Sequence, residues 1–67
     1  MNIIINEKPY SINDGATLIH ALEKAQIEHQ FGIAVVVNNV VIPKAEWKKY
    51  IVQHNDNILI INAIYGG

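Results

Sequence analysis

Histidine, serine and acidic side chains are the residues of this chain that could catalyse a reaction or bind a metal. His20, His29 and His54 each lack a second histidine or a cysteine three or four residues away, so their spacing fits no common metal site. Ser11 and Asp14, taken with His20, supply the residue types of a catalytic triad, but they are spread over a strand, a loop and a helix without a nucleophile elbow. The sequence therefore predicts no catalytic residue and no metal site.

The chain ends in INAIYGG, and its final carboxylate is the one group that we expect to take part in a reaction. Gly66 and Gly67 lack Cβ atoms, so they leave the last carbonyl unshielded and can enter a narrow cleft in conformations closed to other residues. An extended tail from Tyr65 to Gly67 reaches roughly 10 Å. A carboxylate becomes reactive once a partner enzyme converts it to an acyl-adenylate with ATP. We therefore predict a flexible Gly-Gly tail that presents Gly67 for modification, with no cofactor bound permanently.

Composition restricts the classes of function that remain. The 67 residues are enough for one domain, 51% of them are hydrophobic and none is cysteine, which excludes disulfides and thiolate chemistry. A formal charge of -1 argues against a nucleic-acid-binding protein that works by neutralising phosphates. The start MNIIINEKPY has neither the basic leader nor the apolar core of a signal peptide, and no apolar run is long enough to span a bilayer. We expect a cytoplasmic protein with no membrane partner.

The hydrophobic patterns predict one α+β domain over residues 1–67. Short β-branched runs at NIIIN, YSI, IAVVV, VVI and ILIINAIY are typical of strands, and the NN between the third and fourth suits a tight hairpin turn. LIHALEKAQIE carries an apolar stripe with helical spacing and follows Thr17, a good N-cap residue. PKAEW predicts a short helical turn. The order is ββαββ, with this turn before the last strand.

One helix covers only one face of a sheet, and this order predicts the ubiquitin-like β-grasp fold. The long helical crossover between two hairpins favours a mixed sheet in which the first and last strands are central and parallel. The main helix then packs on one face of that sheet. Alternation along the first strand directs Ile3 and Ile5 toward the helix and leaves Ile4 on the opposite face.

In the last strand the polar Asn62 decides the predicted orientation. If Asn62 faces solvent, then Leu59, Ile61 and Ala63 point to the core. Several large apolar side chains are then left on a face that no second helix covers, and a patch of this size usually marks a partner surface. The predicted partner interface consists of Ile4, Ile58, Ile60 and Ile64. The alternative is that the loop containing Trp47 folds across part of this face.

Lysines cluster around the only tryptophan of the chain. Lys44, Lys48 and Lys49 lie within six residues of one another in a chain that is otherwise slightly acidic. One interpretation is a basic contact with an acidic groove on a partner protein, and the other is a solvated basic rim. Trp47 itself we predict to be a core residue, because a small domain seldom leaves its only tryptophan unburied.

Four blocks of this sequence resemble the ThiS family of ubiquitin-like sulfur carriers, and the resemblance spans the whole chain. They are IIIN at the start, ATLIHAL at the opening of the helix, VVVNNVVIPKAEW in the middle and HNDNILIINAIYGG at the end. The middle block is the most specific, because a hairpin that enters IP-K-x-x-W resembles ThiS more than the small subunit of molybdopterin synthase. Tyr65 departs from the family pattern, in which a smaller residue often precedes the glycines.

The resemblance implies a sulfur carrier that is not itself an enzyme. The carboxylate of Gly67 would be adenylated by an E1-like enzyme similar to ThiF, and a cysteine-desulfurase relay would supply the sulfur of a thiocarboxylate. A thiazole synthase similar to ThiG would accept that sulfur in thiamine biosynthesis. Two alternatives stay open: a carrier for another acceptor such as molybdopterin synthase, and a non-catalytic β-grasp binding module.

Overall fold

The computed structural model describes residues 1–27 and 32–62, and these residues form one mixed sheet with a helix on one face. The elements are β1 (Asn2–Ile5), β2 (Lys8–Ser11), α1 (Leu18–Lys24), β3 (Ile33–Val37), β4 (Val40–Ile42), a 3₁₀ turn (Lys44–Glu46) and β5 (Asn57–Asn62). The strand order is β2-β1-β5-β3-β4, with β1 parallel to β5 and the other pairs antiparallel. The predicted β-grasp topology is confirmed.

Both hairpins close through two-residue turns with positive φ at each central residue. The values are 50° and 70° at Asn6 and Glu7, and 49° and 71° at Asn38 and Asn39. This is the geometry of a type I′ turn, which matches the right-handed twist of the strands on either side. The NN turn is therefore confirmed. The first hairpin turns one residue earlier than the EKP stretch suggested, and β2 accordingly begins at Lys8.

Helix α1 begins at the predicted cap and ends earlier than the sequence pattern suggested. Thr17 has extended backbone geometry, and its hydroxyl accepts a hydrogen bond from the His20 backbone N–H. At the other end Gln26 has a φ of 62°, and the Ile27 N–H reaches back to the Leu22 carbonyl at 3.0 Å. This left-handed closure ends the helix at Lys24 instead of Glu28, although a glycine is the usual residue there.

Trp47 lies in the main core, as predicted. It is buried in the same cluster as the inward residues of α1 and of the sheet, and its indole N–H donates to the Ile42 carbonyl at 2.8 Å. The segment that follows Trp47 is hydrogen-bonded to the start of the helix, where the Leu18 N–H donates to the Tyr50 carbonyl at 3.0 Å. The Trp47 segment therefore packs on the helix side and not across the opposite sheet face.

The predicted orientation of β5 is wrong. Ile58 is fully buried and Ile60 packs against the core, whereas Leu59 and Ile61 are 46% and 45% exposed. Ile58 pairs with the buried Ile5 of the parallel β1, and paired residues share a face. Ile58 and Ile60 are therefore core residues and not interface residues. The predicted positions of Ala63 and Ile64 lie outside the described residues.

The error arose because the two polar residues that bound β5 point to opposite faces. Asn57 and Asn62 are separated by an odd number of positions, so only one of them can mark the solvent face. The structure shows that it is Asn57. Asn62 lies on the helix side, at the end of the strand, where it pairs with Ile33, itself only partly buried. At this end of the strand a polar side chain on the helix side remains exposed.

Candidate functional site

The strand that leads into the C-terminal tail lies at the centre of the sheet. β5 is paired with β1 on one side and β3 on the other, and it ends at Asn62 opposite Ile33. Because β1 and β5 are parallel, the tail leaves from the end of the sheet at which β1 turns into β2. Tyr65, Gly66 and Gly67, the predicted tail and modification site, lie outside the described residues.

The β1–β2 turn is fixed to β5 at that end by Asn6. Its backbone N–H donates to the Ile58 carbonyl at 2.9 Å, and its side-chain Oδ1 accepts from the Ile60 N–H at 2.8 Å. A side-chain oxygen thus extends the parallel ladder beyond the end of β1. The turn that carries Glu7 is held beside β5 two residues before the strand ends.

At the opposite end, Asn38 and Asp56 fix the start of β5. The Asn38 Oδ1 accepts from the Asn57 N–H at 2.9 Å, and its Nδ2 donates to the Asp56 carboxylate at 2.9 Å. The same carboxylate accepts from the Gln53 N–H at 2.8 Å. Asp56 is only 5% exposed, and these donors satisfy a charge that would otherwise be costly to bury. These hydrogen bonds join the β3–β4 turn to the turn that precedes β5.

Tyr50 lies close enough to this cluster to be affected by it electrostatically. Burial raises the pKa of the Tyr50 phenol above its usual value of 10.0, and the negative charge of Asp56 raises that pKa further. Both effects disfavour the phenolate. The phenol is therefore neutral at physiological pH, and its role there is in packing and not in acid–base chemistry.

The sheet face opposite α1 is apolar and exposed, and it runs across neighbouring strands. Val36 of β3 pairs with Leu59 and Val41 on either side, while Ile4 of β1 lies on the same face. The exposed fractions are 38% at Ile4, 46% at Leu59 and 65% at Val41. We call this surface the open face, formed by Ile4, Val36, Val41, Leu59 and Ile61. Of the predicted interface isoleucines in the described residues, only Ile4 belongs to it.

The three clustered lysines are exposed but lie apart from the open face. Lys44 opens the 3₁₀ turn, and Lys48 and Lys49 follow the buried Trp47. Because this segment is hydrogen-bonded to the start of α1, the lysines lie on the helix side of the domain. The lysine cluster and the open face therefore lie on different sides of the domain.

The residue types of a triad come near one another without forming one. Ser11 and His20 line a cleft of about 460 Å³ between β2 and α1, and Asp14 borders an adjoining cleft that also contains His20. The His20 Nδ1, however, accepts from the Thr17 N–H at 3.0 Å, which closes the helix cap. Neither Ser11 nor Asp14 hydrogen-bonds to His20 in the part of the chain that the structure describes. The arrangement is structural.

Residues 1–27 and 32–62 hold neither a metal cluster nor a membrane-spanning helix. Over these residues no group of three or more histidine, cysteine or acidic side chains is placed to hold a metal ion. Within the same ranges no helix has the length and apolar character needed to cross a membrane.

Comparison with known proteins agrees with the observed fold. A model of the ThiS family matches residues 3–67. The chain belongs to the ThiS family. It is 33% identical to the sulfur carrier protein ThiS of Escherichia coli strain K12 over 67 residues, covering all of both chains. Its fold resembles the crystal structure of the thiamine biosynthesis protein ThiS of Geobacter metallireducens, with a TM-score of 0.79 over all of both chains at 23% identity.

Sequence reasoning missed the side chains that hold β5 in place. Asn6 was interpreted as the polar end of the first strand, and Asn38 and Asp56 only as turn residues, because their types are typical of turns. In both hairpin turns the first asparagine accepts a hydrogen bond from a backbone N–H of β5. The buried carboxylate of Asp56 depends on a contact with Asn38, eighteen residues away. No local pattern predicts that contact.

Proposed function

We propose that this ThiS-family chain is a sulfur carrier whose Gly67 carboxylate is adenylated and then converted to a thiocarboxylate. The observation that supports this most directly is the full-length similarity to a protein named a sulfur carrier, with the family match extending to Gly67 itself. The protein is the substrate of partner enzymes and not an enzyme. The sulfur is donated for thiazole formation in thiamine biosynthesis, in line with the similar fold of a thiamine biosynthesis protein.

The chemistry divides into an activation and a transfer. A Gly67 carboxylate oxygen attacks the α-phosphate of ATP held by an E1-like adenylyltransferase, and pyrophosphate leaves. A persulfide sulfur of a cysteine-desulfurase relay then attacks the acyl carbon and displaces AMP. A thiol, acting as the two-electron reductant, cleaves the S–S bond of the resulting acyl disulfide; it forms a new disulfide with the relay cysteine and releases the thiocarboxylate. The resulting thiocarboxylate is a tethered soft nucleophile that a thiazole synthase can accept. The partner enzyme binds the ATP, and we assign both reaction steps to the cytoplasm.

The open face is the surface we assign to docking on the adenylating enzyme. It is apolar and uncovered, and its Leu59 and Ile61 belong to the same strand that leads into the tail. A partner that binds this face therefore receives the tail in a defined direction. Because the orientation of β5 is corrected, Leu59 and Ile61 replace Ile58 and Ile60 in the proposed interface.

The lysine cluster is assigned a secondary role in association. Its side chains are exposed on the helix side, so they affect the approach of an acidic partner by charge and not by packing. Residues of this cluster are Lys44, Lys48 and Lys49.

The carrier proposal is tested by intact-protein mass spectrometry. The protein is incubated with the adenylating enzyme, ATP and a sulfur donor, and it should gain the mass of one oxygen replaced by one sulfur, located by fragmentation on Gly67. Deletion of Gly67 moves the carboxylate back by about 3.5 Å, enough to lose orders of magnitude in a reaction that depends on positioning. Gly66→Val should load slowly, because a β-branched residue restricts the backbone.

Extension of the chain beyond Gly67 is the matched control, since it leaves every residue in place and removes only the free carboxylate at that depth. It should abolish loading. Normal loading of the Gly67 deletion would contradict the proposal and favour a binding module. Supplying the thiocarboxylate form to a thiazole synthase and, separately, to a molybdopterin-type acceptor decides which acceptor it serves.

A further inference from the structure

One residue of the β1–β2 turn is poorly suited to its backbone conformation. Six residues other than glycine have positive φ in the described part of the chain, and four of them are asparagine, which tolerates that region. The asparagines are Asn6, Asn38, Asn39 and Asn55. Gln26 is explained by the closure of α1, where its N–H and that of Ile27 bond to helix carbonyls at 3.0 Å. Glu7, at 70°, is neither an asparagine nor part of a helix closure.

The turn explains the backbone of Glu7 but not the choice of residue. A type I′ turn strongly prefers glycine at its second central position, because a Cβ is disfavoured there. Asn6 already supplies the preferred first residue. A glutamate at the second position therefore destabilises the hairpin relative to glycine. We infer that its side chain has a functional role that offsets this cost.

The position of Glu7 indicates what that purpose is. Asn6, its neighbour, is bonded to Ile58 and Ile60, so the turn is fixed to the strand that leads into the tail. Glu7 is exposed, and its carboxylate forms no hydrogen bond or ion pair with any residue in the ranges 1–27 and 32–62. The turn backbone that carries this exposed carboxylate is thus fixed at the end of the sheet toward which β5 runs.

We propose that Glu7 is a docking residue whose carboxylate pairs with an arginine or lysine of the adenylating enzyme, beside the entrance that receives the tail. The inference rests on the proposed function. An adenylation site binds the anionic triphosphate of ATP, so we expect cationic side chains along the cleft that receives the tail, and the exposed Glu7 carboxylate is positioned to pair with one of them at the mouth of that cleft. The open face supplies apolar contact area, and Glu7 supplies a charge contact at its tail end.

The test uses the opposite effects that this role predicts for stability and for recognition. Glu7→Gly should raise Tm by about 2–8 °C, because glycine adopts the positive φ of this position without backbone strain. The same variant should raise the KM for the carrier in the adenylation reaction by about two- to fivefold, the range of one partly exposed ion pair. Glu7→Gln should match it in KM, Glu7→Lys should exceed it, and kcat should be unchanged. The differences should shrink as salt is added.

Glu23→Gln is the matched control, because Glu23 is an exposed glutamate on α1. It should leave both Tm and KM unchanged. If wild-type protein is loaded and all three Glu7 variants keep its KM, this inference is wrong while the proposed function stands. If the wild type is not loaded at all, the proposed function fails and this inference fails with it.

Discussion

Replacing Ile58 by alanine should lower the free energy of unfolding by about 2–5 kcal/mol. Ile58 is 0% exposed near the start of the central strand β5, beside Ile5 of β1 and Val37 of β3. The loss combines the transfer free energy of the deleted carbons with the cavity they leave, which neighbours on both sides cannot fill. A chain of 67 residues has a total stability of about 3–10 kcal/mol at the usual value per residue. The substitution therefore removes a large part of it.

Urea unfolding followed by Trp47 fluorescence measures this change, since Trp47 is the only tryptophan and is 1% exposed in the same core. The matched control is Ile61→Ala, which removes the same atoms from a side chain that is 45% exposed on the open face. It should lower stability by less than about 1 kcal/mol. A larger loss for Ile61→Ala than for Ile58→Ala would show that β5 has the opposite orientation, and the open face would have to be redrawn.

Three further predictions concern the surfaces and the polar cluster around β5. The contribution of Tyr50 to the free energy of unfolding should be fully present below about pH 10 and be lost as pH rises through its elevated pKa, because the folded state disfavours the phenolate. Tyr50→Phe should remove this loss in thermal unfolding curves recorded from pH 9 to 11. Asn38→Gly should lower the unfolding free energy by about 1–3 kcal/mol through loss of its bonds to Asp56 and Asn57, whereas Asn39→Gly, in the same turn, should leave it unchanged or raise it; equal urea midpoints would contradict the role given to Asn38. Joint replacement of the clustered lysines by glutamine should slow association with the adenylating enzyme in stopped-flow measurements without changing the circular dichroism spectrum, and a rate insensitive to both the substitutions and salt would exclude steering by Lys44, Lys48 and Lys49.

Local patterns in the sequence were sufficient for most of the fold. The NN turn, the Thr17 cap and the alternation of β1 each depend on residues a few positions apart, and the structure confirms all three. The orientation of β5 could not be obtained in this way, because its four central residues are all large and apolar. Its two faces are distinguished by pairing with distant buried residues: Ile58 pairs with Ile5, more than fifty positions earlier in the chain, and with Val37.

The polar residues around β5 connect the fold to the proposed activity. A strand held only by apolar side chains on both faces is weakly specified in register, because a slip of two positions replaces one isoleucine with another. Here Asn38 and Asp56 hold the first residues of β5, and Asn6 holds Ile60 near its last. A slip in either direction would break these bonds. The register of β5 sets where the chain leaves the sheet. In the proposed function the same side chains that stabilise the strand therefore also define the depth to which Gly67 enters a partner.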